Sequence, residues 1–585
     1  MPEPADLRTR TFTIIGQDPG MRNPAGEIVR AQVTVPAEEL DPGPRGYRVS
    51  VVDYDCTQGV LYQGADLGRS PDAGDQYAKA TDEQLMVDPG FHAQNVYALV
   101  MRTLARFESA LGRHVSWSFD YGHQLQVAPH AFCEANAFYS EDDQGLMFGY
   151  FPGRAGKPIF TCLSHDVVVH ETSHALLDSL RDRYTDPSVP DQAAFHEAFA
   201  DIVALLSVFS IGEVMDGLLR ASIRASARPR RGNDGRAVKH PRGRVGEKWL
   251  RDSALFGLAE EMGGELHQHR GWALRNSLKI EPRSNLLAQP EFQEPHRRGE
   301  VLVAAVLTAL VRAWARRLAD LGADRRRDRE DTTVRRIAEE GAAAASYLLT
   351  VAIRALDYAP PIDLLFGDYL SAVLTADAEL VPEEPRFKFR EELLRSFRDY
   401  GIAPTSDAEG SGLWQAPEAD PNIAQRRPLR YERLHFEALQ RDRDAVFRFL
   451  WENRETVGLY PGTYTRVMSV RPCIRVAPDG FVLRETVAEY EQMMDVRGAD
   501  LRRLGLRKPP KMSAGAYVRL HGGGTLVFDE FGRLKFNVHK RLVGRGQQQK
   551  LDHLWDEGAD RVEAARVRAV GPGGYFADLH RQRAV

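Results

Sequence analysis

The stretch HDVVVHETSHALLDSL, residues 165–180, governs how the rest of the chain is read. It reads as a helix that begins near Ser164, and inside it HETSH at 170–174 fits the pattern His-Glu-x-x-His. Residues i and i+4 share one helix face, so His170 and His174 can chelate a single ion. Glu171 lies about 100 degrees further around the helix, close enough to reach a water on that ion without becoming a ligand itself. A pattern this short also arises by chance, so its surroundings have to carry part of the argument.

The next helical pattern, FHEAFADIVAL at 195–205, supplies Glu197, which follows His174 by 197 − 174 = 23 residues, and Asp201 one turn later. A catalytic zinc takes three protein ligands and keeps one open position, and His170, His174 and Glu197 make such a set. A ligating imidazole also needs an acceptor for its outer N–H, and Asp201 shares the helix face of Glu197. The alternative is that both carboxylates lie on a helix surface. The helix is otherwise apolar, however, and an unpaired charge there is expensive. Zn2+ is therefore the expected cofactor.

The setting is that of an ordinary globular chain. At 585 residues it exceeds a single compact core and implies two to four domains. The 77 basic and 82 acidic residues nearly cancel to −5, which gives no reason to expect a nucleic-acid partner. Basic clusters at 228–244 and 325–329 read as a solvated loop and a helix connection. The four cysteines, Cys56, Cys133, Cys162 and Cys473, have no paired short spacing and read as reduced thiols in a cytoplasmic protein. The polar start MPEPADLRTRTF lacks the apolar core of a signal peptide, and no apolar run reaches the roughly 20 residues of a membrane span.

Strands are expected in TFTII, AQVTV and YRVSVVDY before residue 64, and a helix over 91–111. Helical patterns dominate from 195 to 400, a Gly- and Pro-rich linker falls at 406–425, and YERLHFEALQRDRDAVFRFLWENR reads as one further helix. A hairpin is expected over 516–540, with turns at the Gly522-Gly523-Gly524 run and at 530–532.

Taken in order, NAFY at 136–139, DVVVHETSHAL and the Glu197–Asp201 pair resemble the thermolysin-like zinc metallopeptidases, the gluzincins whose third ligand is a glutamate. Asn136-Ala137-Phe138 followed by LMFGY at 146–150 is similar to that group's edge strand. The resemblance makes Asn136 and Ala137 substrate-binding residues that pair with a peptide backbone. EPHRRGEVLVAAVL at 294–307 is similar to the HxxGEV segment of fungalysin-like relatives. It makes His296 a donor to the oxyanion, with Glu291 or Glu294 as its orienting partner. Tyr184, by its spacing from His174, is the candidate second donor, and Val167 a candidate pocket wall.

The resemblance covers roughly residues 130–405. His196 departs from it, because these enzymes usually carry asparagine before the glutamate. No propeptide pattern and no run of calcium-ligand carboxylates is found.

It implies an α+β fold. A strand-containing N-lobe (79–195) and a mostly helical C-lobe (196–405) would form a thermolysin-like core, flanked by a small β-rich region (1–78) and a mixed α/β C-terminal domain (426–585). The expected activity is zinc-dependent hydrolysis of a peptide or protein substrate, with Glu171 as general base and neither membrane nor nucleic acid as partner. The alternatives are an aminopeptidase-type hydrolase of short peptides and a peptidase-like scaffold that only binds.

Overall fold

The computed structural model describes residues 8–227, 246–251, 277–321, 330–406, 410–417 and 428–556, apart from 24, 120, 154, 155, 187, 278, 432–434, 478 and 479. The basic clusters at 228–244 and 325–329 and most of the second half of the linker lie outside the described residues.

Helices and strands are segregated along the chain, as in an α+β protein. Strands β1 (Thr9–Ile15) and β2 (Arg30–Pro36) form an antiparallel ribbon. β2 alternates buried and exposed residues, so one face alone meets the core. Short strands β3 (Val49–Val51), β4 (Tyr54–Asp55) and β5 (Val60–Leu61) follow. Helix α1 (Asp82–Val87) leads into α2 (Pro89–Leu111), whose first turn is capped by Asp88. The ribbon is tied to α2 by Asn95, which accepts the Ile15 N–H at 3.0 Å, and by Gln94, which donates to the Thr13 carbonyl at 3.0 Å.

β6 (Leu125–Phe132), β7 (Ala137–Ser140), β8 (Gly145–Pro152) and β9 (Pro158–Phe160) complete a sheet of order β3-β6-β8-β7, with β9 also paired to β8. β7 is an edge strand, antiparallel to β8 with Ala137 opposite Phe148. Helix α3 (His165–Leu180) packs between α2 and α4 (Pro190–Phe209). All of α3 except Asp166 and Ser179 is buried, as expected of a helix surrounded by protein. The helical part continues through α5 (Gly212–Ala227), the single turn α6 (Glu247–Leu250), α7 (Pro295–Asp320), α8 (Glu330–Arg354), α9 (Phe366–Leu380) and α10 (Phe389–Asp399).

One apolar core runs from Phe12 to Ile402 and takes in Val527 and Phe536. The β-rich start is therefore part of the main body, and α4 passes unbroken through the expected lobe boundary at 195–196. The described part of the linker is pinned as well: Trp414 donates its indole N–H to the Tyr358 carbonyl at 2.9 Å.

Three features of the C-terminal part differ from expectation. The predicted single helix is two, α11 (Phe436–Leu439) and α12 (Arg443–Glu452), because the Asp442 side chain caps a new start at Asp444. β10 (Tyr464–Val476), β11 (Val482–Arg497), β12 (Tyr517–Phe528) and β13 (Leu534–Lys540) form a four-stranded antiparallel meander, followed by α13 (Arg545–Asp556). Gly522-Gly523-Gly524 lies inside β12 rather than at a turn. A Cβ at Gly523 would stand 2.3 Å from the Tyr490 carbonyl oxygen and one at Gly522 would stand 2.7 Å from the Leu542 backbone, so close approach explains the glycines. The turn at 530–532 is real, closed by Gly532 N–H donating to Asp529 O.

This meander is fastened to the main body through buried charge. Arg113 pairs with both oxygens of Asp357 at 2.5 and 2.7 Å, and Arg475, fully buried, bonds Asp357 and Glu485. Tyr358 donates to Glu485 at 2.5 Å, and Arg181, the residue that ends α3, pairs with Glu489. Burial pushes the Asp357 carboxyl up, but Arg113 and Arg475 outweigh it and hold it below the usual carboxylate range. Glu491 behaves alike. Burial raises it, while the hydrogen bond with His521 and the charges of Arg183 and Arg466 bring it down to about 2.

Asp357→Asn leaves two buried guanidinium groups short of an anion and should cost ~3–5 kcal/mol in denaturant unfolding. For Glu491 the folded carboxyl titrates below its unfolded value of about 4.3. Its stabilisation is thus present above that value and lost as pH falls towards about 2. The denaturation midpoint should fall on acidification over this window, and more shallowly in Glu491→Gln.

Candidate metal centre

Helices α3 and α4 bring three ligand side chains to one point. His170 and His174, one turn apart on α3, place their Nε2 atoms 2.9 Å from each other. Glu197 on α4 stands 3.6 Å from His170 Nε2 and 3.4 Å from His174 Nε2 through its two carboxylate oxygens. All three residues are buried. At ligand bonds of about 2.0–2.1 Å, a tetrahedral ion would set its donor atoms about 3.3–3.4 Å apart. The three separations bracket that figure, so the donor set fits a zinc-type ion after shifts of a few tenths of an ångström.

The outer nitrogens are held as a metal site requires. His170 Nδ1 contacts Asp201 Oδ1 at 2.8 Å, which directs the Nε2 lone pair inward. Burial works against a charged His170, but the hydrogen bonds with Asp201 and Glu197 outweigh it and raise the imidazole to about 9. His174 Nδ1 lies 2.8 Å from His196 Nδ1. Burial first, and then the neighbouring His174, drive His196 well below its ordinary value, so it is neutral at pH 7. A neutral His196 can accept the His174 Nδ1–H and thereby fix the tautomer of that ligand. Sequence reasoning noted His196 only as a departure from the family pattern. Its position directly before Glu197, in a helix too apolar to tolerate an idle imidazole, was the available signal.

Glu171 points to the sheet side. Its Oε2 accepts the backbone N–H of Tyr139 in β7 at 3.0 Å. That places the carboxylate between the ligand cluster and the outward edge of the strand. Asn136 O accepts the Gly149 N–H from β8, so Asn136 and Phe138 face β8, whereas Ala137 and Tyr139 face outward. The Ala137 N–H is taken by Asn136 Oδ1 at 2.9 Å, and Asn136 Nδ2 is buried without a hydrogen-bond partner among the described residues. An extended peptide laid along this edge would have to displace the Asn136 side chain from Ala137.

The remaining expected residues separate into two groups. His296 stands at the start of α7, which crosses α4 where Gly299 lies over the Ala194 carbonyl and Arg298 bonds Asp191 at 2.6 Å. Its Nδ1 is 2.6 Å from Glu294 Oε1, so of the two candidate partners it is Glu294 that holds the ring, and its Nε2 makes no hydrogen bond among the described residues. Burial raises the Glu294 carboxyl, but His296 outweighs it and brings it down to about 2. Tyr184 is not placed as a second oxyanion donor. It is fully buried, and its hydroxyl donates to the Pro360 carbonyl at 2.6 Å, an anchor between the helical part and the segment beneath the meander. Val167 is buried in the first turn of α3.

Among the described residues, α4 is also the helix long and apolar enough to cross a membrane, yet 89% of that window is buried inside the protein. It is a core helix that carries a ligand.

Asp201→Asn keeps the shape of the His170 partner but removes its charge, and should weaken metal affinity ~10–100-fold by competition with a chelating dye. Comparison with protein-family models and with curated proteins finds no match for this chain.

Proposed function

We propose that the chain is a zinc-dependent peptidase of thermolysin-like type. One observation carries the reading: the His170–His174–Glu197 cluster lies beside an edge strand, and Glu171 touches that strand through Tyr139. A metal-ligand set alone would suit many hydrolases. A ligand set whose neighbouring carboxylate abuts the edge strand of a sheet suits a substrate that is itself an extended backbone, which would replace the Asn136 side chain on the Ala137 N–H.

Bound zinc would supply polarisation of the scissile carbonyl and a water made acidic enough to lose its proton near pH 7. The chain's own residues supply the rest. Glu171 takes that proton and delivers it to the departing amine. With Oε2 held by Tyr139, Oε1 is the oxygen assigned to the transfer. His296 donates from Nε2 to the oxyanion, while Glu294 keeps the ring in place through Nδ1. Asn136 and Ala137 bind the peptide main chain, and Asp201 and His196 keep the two imidazole ligands in their required tautomers.

Glu171→Gln should retain its metal and lose ~10²–10⁴-fold in kcat on an internally quenched peptide. An equally active variant would remove Glu171 from the mechanism, and unchanged metal content in His174→Ala would remove the ligand set. Cleavage of an N-terminally blocked peptide is expected; its absence would indicate an aminopeptidase.

A further inference from the structure

A second group of ligand-type side chains lies outside this site. His92 in α2, His130 in β6 and Cys162 in the 3-10 turn Thr161–Leu163 bring ligand atoms within 4.8 Å of one another. His92 Nδ1 is 2.8 Å from His130 Nε2. The three residues are 1%, 6% and 0% exposed, too little for any substrate to reach them.

We propose that His92, His130 and Cys162 bind a structural zinc ion, independently of the peptidase reading. Three observations point to this. His130 Nδ1 is held by Asp53 Oδ2 at 2.8 Å, the same carboxylate-to-imidazole arrangement that Asp201 makes with His170. It keeps the Nδ1 proton on that side and turns the Nε2 lone pair towards His92 and Cys162.

His92 Nδ1 and His130 Nε2 face each other across 2.8 Å. An ion between them would take both facing lone pairs, and the His92 proton would then sit on Nε2, beside the Met86 and Leu85 carbonyls.

The third observation is charge. A Cys162 thiolate and the Asp53 carboxylate together carry −2, which neutralises a divalent ion in a site with no other described counter-charge on the ligands. Mixed imidazole and thiolate donors select zinc over calcium or magnesium. Three protein ligands leave one position for a water. The ring of Phe160, its centroid 4.7 Å from that of His92 and 5.1 Å from that of His130, packs against both imidazoles.

The ion would join α2 and the sheet to the turn that launches α3. Cys162 lies two residues before Ser164, the N-cap of α3, and its carbonyl is already held by Asn95 at 2.9 Å.

The test uses the full chain, stripped of metal and reloaded with cobalt(II), whose thiolate complexes absorb in the near ultraviolet. Two ions per chain are expected, together with a thiolate band that persists in His174→Ala and disappears in Cys162→Ser with the loss of one ion. A native chain with no thiolate band overturns the proposal, as does a band or an ion count unchanged in Cys162→Ser. Should Cys162→Ser fail to fold, the native chain and His130→Ala decide by the same two readouts. A single ion that carries the band would support this site and deprive the peptidase proposal of its metal. A single ion without the band would do the opposite.

Discussion

Burying a carboxylate and three imidazoles between two apolar helices is the constraint on which this architecture turns. α4 has the apolar character of a membrane span, yet it carries His196 and Glu197 to meet His170 and His174 on α3. Unpaired, such groups would cost several kcal/mol each. The fold answers by surrounding them with partners whose protonation is set by position: Asp201 outside His170, His196 outside His174, and the Tyr139 amide on Glu171. α2, the sheet and α7 then hold the pair of helices rigidly, and small residues let them approach. Gly299 on α7 lies directly over the backbone of α4.

How much of this could be read in advance follows from how local each feature is. His170, Glu171 and His174 lie within one helical turn, and so do Glu197 and Asp201, so helical periodicity alone places each group on a face. The strands of the start and the beginning of α2 are local too, set by alternation and by the cap at Asp88. Tyr184 misled because spacing in sequence says nothing about which carbonyl a hydroxyl meets after folding. The glycine run in β12 misled for a related reason, since glycine serves close packing as well as turning. The His92–His130–Cys162 group was invisible: its members are 38 and 32 residues apart on three different elements, and only tertiary structure joins them.

The C-terminal meander had no readable purpose in sequence, yet it reaches the helix that bears the ligands. A polar cavity of about 610 Å³ between the two is lined by Asp178 and Asp182 on one side and Arg441 and Arg471 on the other. Asp178, one turn beyond His174, also receives the Tyr139 and Ser118 hydroxyls at 2.9 Å. Asp178 thus joins α3 to the edge strand, and the Arg181–Glu489 pair joins the end of α3 to the meander. That pair is ionic and buried, unlike the exposed and interchangeable pairs of a loosely tethered domain.

Arg181 gives this coupling a direction in time. It ends α3, is sealed from water, and finds its carboxylate in Glu489, a strand residue synthesised about three hundred positions later. Arg113 and Asp357 likewise wait for Arg475. As the chain leaves the ribosome, the helix that carries HETSH can form early, but Arg181 at its end stays in water until Glu489 arrives to pair with it. Burial of that end of α3 therefore waits on the meander, with Glu489 as the clasp.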